Sequence, residues 1–178
     1  MKIRTIGFLA LALSGCGAAS PNITSGALAV TARDAFTEAR ATARGWDSQA
    51  RLRYVEGLEI APSGRATRET GVWRYHFTAP GRSNEFLVRV AALGLEAQEQ
   101  PPTSPPGYVL GDNAVGTGWI DSPEALAVIL ADRGGSELAE MVLVPTTPAR
   151  WVVRFPEAGS DRWVVNAETG GLMSGSGN

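Results

Sequence analysis

Two stretches of the chain have the three- and four-residue spacing of apolar positions that is typical of amphipathic helices. The first covers residues 28–43, where Ser25 is placed to cap the helix and Gly45 to end it. The second is Ser122–Arg133, which is expected to be capped by its own serine and has Pro123 in its first turn. Small alanines along the first apolar stripe indicate a helix that packs closely against a sheet.

Apolar and polar residues alternate in the segments that follow each helix, and this predicts antiparallel strands. Residues 72–78 and 85–91 form a predicted hairpin that places Trp73 on one face and His76 on the other. Residues 151–167 form a second predicted hairpin. In both hairpins a phenylalanine follows the first tryptophan by four residues and a turn glycine follows it by eight. This agreement favours one helix-plus-sheet unit that is used twice.

These elements predict an α+β fold of two tandem units, each with one helix packed on a three- to four-stranded antiparallel sheet. The first unit is expected at residues 27–100 and the second at residues 119–173, with a short tail at residues 174–178. Residues 101–118 between the units are rich in proline and glycine. This linker is interpreted either as a free connection or as a rigid strap across the sheet.

The amino terminus has the pattern of an export signal. Two basic residues precede an apolar run at residues 6–13, which is too short to span a bilayer stably and ends in the sequence LSGC at Cys16. The pattern resembles the lipobox of bacterial lipoproteins. This resemblance implies a signal peptide at residues 1–15, lipid attached to Cys16 and a flexible tether at residues 16–26. An ordinary secretory signal with an incidental cysteine is the alternative.

The residue after the lipobox cysteine bears on the expected location. Gly17 rather than aspartate follows Cys16, and in Gram-negative members of the lipoprotein family this favours the outer membrane, facing the periplasm. The membrane is therefore an expected partner, reached through the lipid on Cys16. Because Cys16 is the only cysteine, no disulfide can form within the chain.

The second unit carries a further pattern in its helix Ser122–Arg133, its strand at residues 151–155 and its ending WVVNAETGG at residues 163–171. These segments resemble the PepSY family of small helix-plus-sheet domains. The usual ending in that family is a strand that continues into Asp-Ala-x-Thr-Gly, and Asn166 stands here in place of the aspartate. The first unit has AALG at residues 91–94 instead. The resemblance implies a cystatin-like α+β fold and a binding or peptidase-inhibiting role.

Composition and charge narrow the possible functions. The chain has 178 residues, of which 44% are hydrophobic and 19% charged, as in an ordinary globular protein. Without Lys2 and Arg4, which belong to the predicted leader, 14 basic residues stand against 18 acidic ones, and no basic stripe indicates a nucleic-acid partner. Lys2 is the only lysine, so the predicted mature chain has none for Schiff-base or phosphate-loop chemistry.

Residues with catalytic potential are few. His76 is the only histidine and is expected to be a solvated strand residue, opposite the aromatic face. A zinc site or a serine triad would each require it, and no Gly-x-Ser-x-Gly motif accompanies it. The acid pairs Glu56/Glu59 and Glu137/Glu140 are interpreted as surface acids rather than as glycosidase carboxylates. We therefore predict no catalytic residue, no metal ligand and no cofactor.

Trp73, Trp151 and Trp163 have the spacing of core residues between helix and sheet, and a tryptophan-lined ligand groove is the second interpretation. The sequence identifies no ligand-binding residue. The favoured function is a membrane-anchored envelope lipoprotein that binds a protein or peptide without catalysis. Inhibition or regulation of a peptidase is one form of that function. The alternative is a structural or assembly lipoprotein of the envelope without a discrete ligand, and an enzyme is the third hypothesis.

Overall fold

The architecture is α+β, with two helices packed against one face of a large antiparallel sheet. The structure is a computed structural model that describes residues 29–110, 113–159 and 161–174. The helices are α1 (Ala32–Trp46) and α2 (Ser122–Arg133). The strands are β1 (Ala29–Val30), β2 (Arg51–Ile60), β3 (Ala66–Thr67), β4 (Val72–Thr78), β5 (Glu85–Ala91), β6 (Gly94–Gln100), β7 (Ala139–Val144), β8 (Arg150–Arg154), β9 (Arg162–Asn166) and β10 (Leu172–Ser174). The predicted signal peptide, Cys16 and the tether lie outside the described residues.

Eight of the strands form one sheet in the order β10-β9-β8-β7-β2-β4-β5-β6, and β1 pairs with β3 in a separate small sheet. Every pairing is antiparallel. Strands β2 and β7 pair at the centre, where Val55 lies opposite Leu143 and Gly57 opposite Met141. The sheet strands that follow α1 therefore occupy one half of the sheet, and those that follow α2 occupy the other half.

Helix α1 begins and ends later than the apolar spacing predicted. Its N-cap is Thr31, whose Oγ1 accepts a hydrogen bond from the backbone N–H of Asp34 at 3.1 Å. The helix does not start earlier because the residues just before Thr31 form β1. Gly45 lies inside the last turn rather than ending it. The helix continues to Trp46, whose indole stacks on Phe86 with ring centroids 5.1 Å apart.

Helix α2 has its predicted bounds but a different cap. Asp121 is the N-cap and forms a capping box with Glu124. The Asp121 carboxylate also accepts a hydrogen bond from the backbone N–H of Arg33 at 2.9 Å. Ser122, the predicted cap of α2, instead accepts a hydrogen bond from the backbone N–H of Ala32 at 3.0 Å through its Oγ. The N-termini of the two helices therefore meet, and Asp121 and Ser122 at the start of α2 supply acceptors to the first N–H groups of α1 as well.

The predicted core tryptophans Trp73, Trp151 and Trp163 are buried, which confirms that prediction. The indoles of Trp73 and Trp151 meet edge to face where the two halves of the sheet join, with ring centroids 6.3 Å apart. Each of these two indoles also donates a hydrogen bond to a carbonyl just before a helix: Trp73 to Val30 at 3.0 Å and Trp151 to Ile120 at 2.9 Å. The two helix starts are thereby fixed to the centre of the sheet.

Gly57 marks the point where β2 passes beneath the indole of Trp73. A Cβ atom added at Gly57 would overlap the six-membered ring of that indole, so a larger residue does not fit in this register. The irregularity of β2 lies slightly further along the chain. The register shifts between Gly57 and Ile60, where Glu59 has a φ of 53°.

Candidate functional site

The face of the sheet opposite the helices, which we call the outer face, is crossed by residues 101–110, which we call the strap. Thr103 makes the closest contacts of the strap. Its Oγ1 donates a hydrogen bond to Glu85 at 2.6 Å and lies 2.6 Å from the hydroxyl oxygen of Tyr54. Arg53 donates a hydrogen bond to the carbonyl of Thr103 at 2.7 Å. These bonds favour the rigid strap over the free connection.

His76 is buried beneath the strap with only 3% of its surface exposed, so the expectation of a solvated histidine was wrong. Its Nδ1 lies 2.9 Å from Oε1 of Glu85, and its Nε2 lies 3.4 Å from Oε2 of Glu56. The ring of Tyr54 stacks on the imidazole with centroids 3.9 Å apart. Strand alternation places His76 on the expected face. That face is covered because Tyr54 comes from the neighbouring strand and Thr103 from the strap.

The charges around His76 stabilise one another. Burial favours the neutral imidazole, but the adjacent carboxylates of Glu56 and Glu85 outweigh burial and raise the pKa of His76. Burial also disfavours the Glu85 carboxylate. Hydrogen bonds from His76, Thr103 and Gln100 outweigh that effect and lower the pKa of Glu85 to about 2. The fold therefore favours the charged form of both side chains.

We call this cluster the latch; its members are Tyr54, Glu56, His76, Glu85, Gln100 and Thr103. Both ring nitrogens of His76 face carboxylates, and the Thr103 hydroxyl donates to Glu85. Charge-assisted hydrogen bonds of this kind are stronger than neutral ones, so the latch is suited to holding the strap on the sheet. Base catalysis by His76 would first require one of these ion pairs to break.

A cavity of about 190 Å³, which we call the trough, lies between the strap and the outer face of β2, β7 and β8. Pro106 and Tyr108 line it from the strap, and Val142 and Val152 provide apolar lining from the sheet. Its charged lining residues are Glu56, Arg74, Glu140, Arg154 and Arg162.

Most charges of the trough are paired. Arg154 donates a hydrogen bond to Glu140 at 2.8 Å, and Arg74 lies 3.9 Å from Glu56. Arg162 differs, because no carboxylate of residues 29–110, 113–159 or 161–174 lies within salt-bridge distance of it. The trough therefore contains one more cation than anion.

A larger hollow of about 460 Å³ borders the trough, since Leu58 and Glu140 line both. Glu59 and Glu157 add acidic groups to the hollow, and Val72 adds an apolar one. The trough and the hollow therefore adjoin and form one continuous surface.

Three of the four acids that the sequence placed in pairs have a cationic or histidine neighbour, and the fourth, Glu59, lines the hollow. Glu137 pairs with Arg133 at 3.0 Å and Glu140 pairs with Arg154 at 2.8 Å. Glu56 belongs to the latch. In the part of the chain that the structure describes, no group of three histidine, cysteine, aspartate or glutamate side chains is arranged to hold a metal ion.

No residue of this face was predicted as a site residue, and Glu85, Thr103 and Arg162 were among those that the sequence did not single out. Glu85 had a detectable signal, because β5 pairs with the strand of His76 and alternation places both side chains on the same face. Thr103 had a weaker one, as a hydroxyl residue in a proline-rich segment. Arg162 had no signal in the sequence, since its place in the site depends on where the strap lies.

Comparison of the chain with protein-family models, with curated proteins and with solved structures found no match. The resemblances to bacterial lipoproteins and to PepSY domains therefore rest on the residues that carry them. Neither of the helices within the described ranges has the length and apolar character needed to cross a bilayer.

Proposed function

We propose that this chain is a membrane-tethered, non-catalytic module whose outer face binds an extended peptide segment of a partner protein. The observation that carries the proposal is the continuous surface of the trough and the hollow, which combines apolar lining with charges of both signs. Pockets for individual side chains are what gives specificity when a protein binds an extended peptide. An envelope protein or a peptidase is the expected partner, and peptidase inhibition is one form that such binding takes.

We further propose that the chain consists of two tandem PepSY-like units. In each half, one helix is followed by four strands of the large sheet, and the first strands of the two halves pair at the centre. The hydrogen bonds of Trp73 and Trp151 support this proposal most directly. Val30 and Ile120, which accept them, each immediately precede the N-cap of the helix in the same half.

The ending of the second half also supports the PepSY resemblance. Asn166 Oδ1 accepts hydrogen bonds from the backbone N–H groups of Glu168 at 2.8 Å and Thr169 at 3.1 Å. An aspartate at this position would offer the same acceptor oxygen. The substitution of asparagine for the aspartate of the family therefore preserves the turn while removing its charge.

The proposed anchor is lipid on Cys16, with residues 16–26 as the tether and the outer membrane as the destination in a Gram-negative cell. Cys16→Ala tests it. In cells fed labelled palmitate, the unchanged protein should incorporate label and sediment with membranes, whereas Cys16→Ala should do neither. A Ser14→Ala variant is the control, because it leaves the cysteine in place. Membrane association of unlabelled Cys16→Ala would contradict lipid anchoring.

Peptide binding is tested with the full-length chain in detergent micelles and a phage-displayed library of random dodecapeptides. Val142→Trp fills the trough, whereas Val164→Trp is a matched control, since Val164 is also half-buried on the outer face but does not line the trough. We expect saturable capture of individual peptides that Val142→Trp abolishes and Val164→Trp retains. Failure to capture any peptide, or equal capture by both variants, would contradict the proposed site.

A further inference from the structure

The size of the trough indicates the kind of occupant. Pockets for drug-sized ligands have volumes of about 300–1,000 Å³, whereas the trough has about 190 Å³. This space suits one side chain of an extended segment, packed on Val142 and Val152. Because Leu58 and Glu140 also line the neighbouring hollow, such a segment has room to continue along the outer face.

Two sets of N–H donors in the trough have no acceptor among the described residues. Arg162 forms no ion pair with them, and its guanidinium carbon lies 6.0 Å from the ring centroid of Tyr108. The Nε of Arg74 is buried and makes no hydrogen bond. A buried donor without an acceptor is unfavourable, because it has lost its hydrogen bonds to water. An occupant that brings an acceptor to these donors is therefore favoured.

The carboxylates of the trough are not available as those acceptors. Glu140 already accepts a hydrogen bond from Arg154 at 2.8 Å. Glu56 faces Nε2 of His76 at 3.4 Å, and the raised pKa of His76 favours the cationic ring there. The excess positive charge therefore stays with Arg162, and charge complementarity favours an anionic group in the occupant.

We propose that the trough binds a carboxylate of an extended peptide through Arg162 and Arg74, while a neighbouring apolar residue of the peptide packs on Val142 and Val152. The carboxylate is supplied either by the C-terminus of the peptide or by an aspartate or glutamate side chain. This inference rests on the proposed function, because it specifies the chemistry of the peptide that the module binds.

Four heptapeptides with one neutral serine and valine sequence, each labelled at the N-terminus with an uncharged fluorophore that has no carboxylate, test the proposal. The first has a free C-terminal carboxylate, and the other three are amidated and carry a central glutamate, a central serine or a central lysine. Binding to the full-length chain in micelles is measured by fluorescence anisotropy. One charge-assisted hydrogen bond contributes about 1.5–3 kcal/mol, which corresponds to about 10- to 100-fold in affinity. At least one of the two carboxylate peptides should therefore bind at least about 10-fold more tightly than the serine and lysine peptides. The tighter of the two shows whether the C-terminus or an acidic side chain supplies the carboxylate.

Variants at the arginines complete the test. Arg162→Gln should remove the preference for carboxylate and Arg162→Lys should retain part of it. Arg89→Gln should leave it unchanged, because Arg89 pairs with Glu96 on the outer face and does not line the trough. If thermal unfolding shows that Arg162→Gln is not folded, Arg74→Gln takes its place.

Two results would overturn the inference: equal binding of all four peptides, or a carboxylate preference that survives in the folded glutamine variant. If either occurs while the phage library still yields trough-dependent peptides, the proposed function stands and only the carboxylate preference is lost. If the library yields none and the heptapeptides do not bind, both proposals fail.

Discussion

Replacement of Glu85 by glutamine tests the latch at its most connected residue. The Glu85 side chain is 1% exposed, pairs with His76 at 2.9 Å and accepts hydrogen bonds from Thr103 at 2.6 Å and Gln100 at 2.7 Å. Glutamine has nearly the same size but no charge. The substitution therefore leaves the imidazolium of His76 without its closest counterion. It also places an amide N–H₂ group, itself a donor, next to the donor groups of Thr103 and Gln100.

The size of the effect follows from the pKa of Glu85, which is about 2 in the fold compared with an ordinary value of 4.5. Since one pKa unit corresponds to about 1.4 kcal/mol, the folded environment stabilises the carboxylate by about 3 kcal/mol. Loss of one partner of a buried ion pair costs a similar amount, about 3–5 kcal/mol. We therefore expect Glu85→Gln to lower the free energy of unfolding at pH 6 by about 3 kcal/mol.

The latch also predicts how stability depends on pH. The contribution of Glu85 is fully present above its ordinary pKa of 4.5 and is lost as the pH falls toward about 2. The contribution of His76 is fully present below its ordinary pKa of 6.5 and is lost as the pH rises through its raised pKa. Both contributions are therefore complete between pH 4.5 and 6.5. Glu85→Gln should reduce the decline on the acid side and also the decline on the alkaline side.

Urea unfolding of the full-length chain in micelles, followed by tryptophan fluorescence from pH 3 to pH 9, measures these effects. The matched control is Glu96→Gln, because the Glu96 side chain is 79% exposed and its only ion pair is with Arg89 at 3.4 Å among the described residues. This control should change the free energy of unfolding by less than about 0.5 kcal/mol. A Glu85→Gln variant as stable as this control at pH 6, or one with an unchanged pH profile, would show that Glu85 does not stabilise the fold through the latch.

Three other substitutions have expected outcomes of their own. Thr103→Val removes the hydroxyl from the latch and should increase hydrogen exchange in residues 101–110 without changing exchange in the helices; unchanged exchange of the strap would contradict its role. Asp121→Ala removes acceptors from the N-termini of both helices and should cost about 2 kcal/mol in urea unfolding, compared with little for exposed Asp132→Ala. Gly57→Ala should cost about 1–3 kcal/mol by forcing a methyl group into the indole above it, whereas Gly94→Ala, where the space is open, should be tolerated. Equal unfolding midpoints for the members of either pair would count against these packing assignments.

The α+β class and most element positions were predictable because they depend on local periodicity. Helix α2 has the predicted bounds, and the strand alternation correctly places Trp73 and Trp151 on the buried face. The cap of α2 was assigned one residue too late, to Ser122. Both Asp121 and Ser122 are good capping residues. Which of them caps α2 depends on contacts with the N-terminus of α1, which is distant in sequence.

The outer face was not predictable in the same way. Alternation gave the correct face for His76, but its burial depends on Thr103, which is 27 residues further along the chain. The trough depends equally on the path of the strap, which brings Tyr108 close to Arg162. A proline-rich segment has no periodicity that indicates which surface it will cross. The candidate site can therefore be recognised only in the folded structure, in which residues of the strap and of the strands line the same cavity.

Methyl NMR of the full-length chain in micelles, with and without a peptide selected from the library, is the most direct test of whether the trough is the peptide-binding site. Val142 and Val152 line the trough, whereas Val90 and Val165 are buried on the helix side of the sheet. The peptide should shift the methyl signals of Val142 and Val152 in a saturable manner and leave those of Val90 and Val165 in place. Shifts confined to the helix side, or saturable binding without any shift at Val142 and Val152, would contradict binding in the trough.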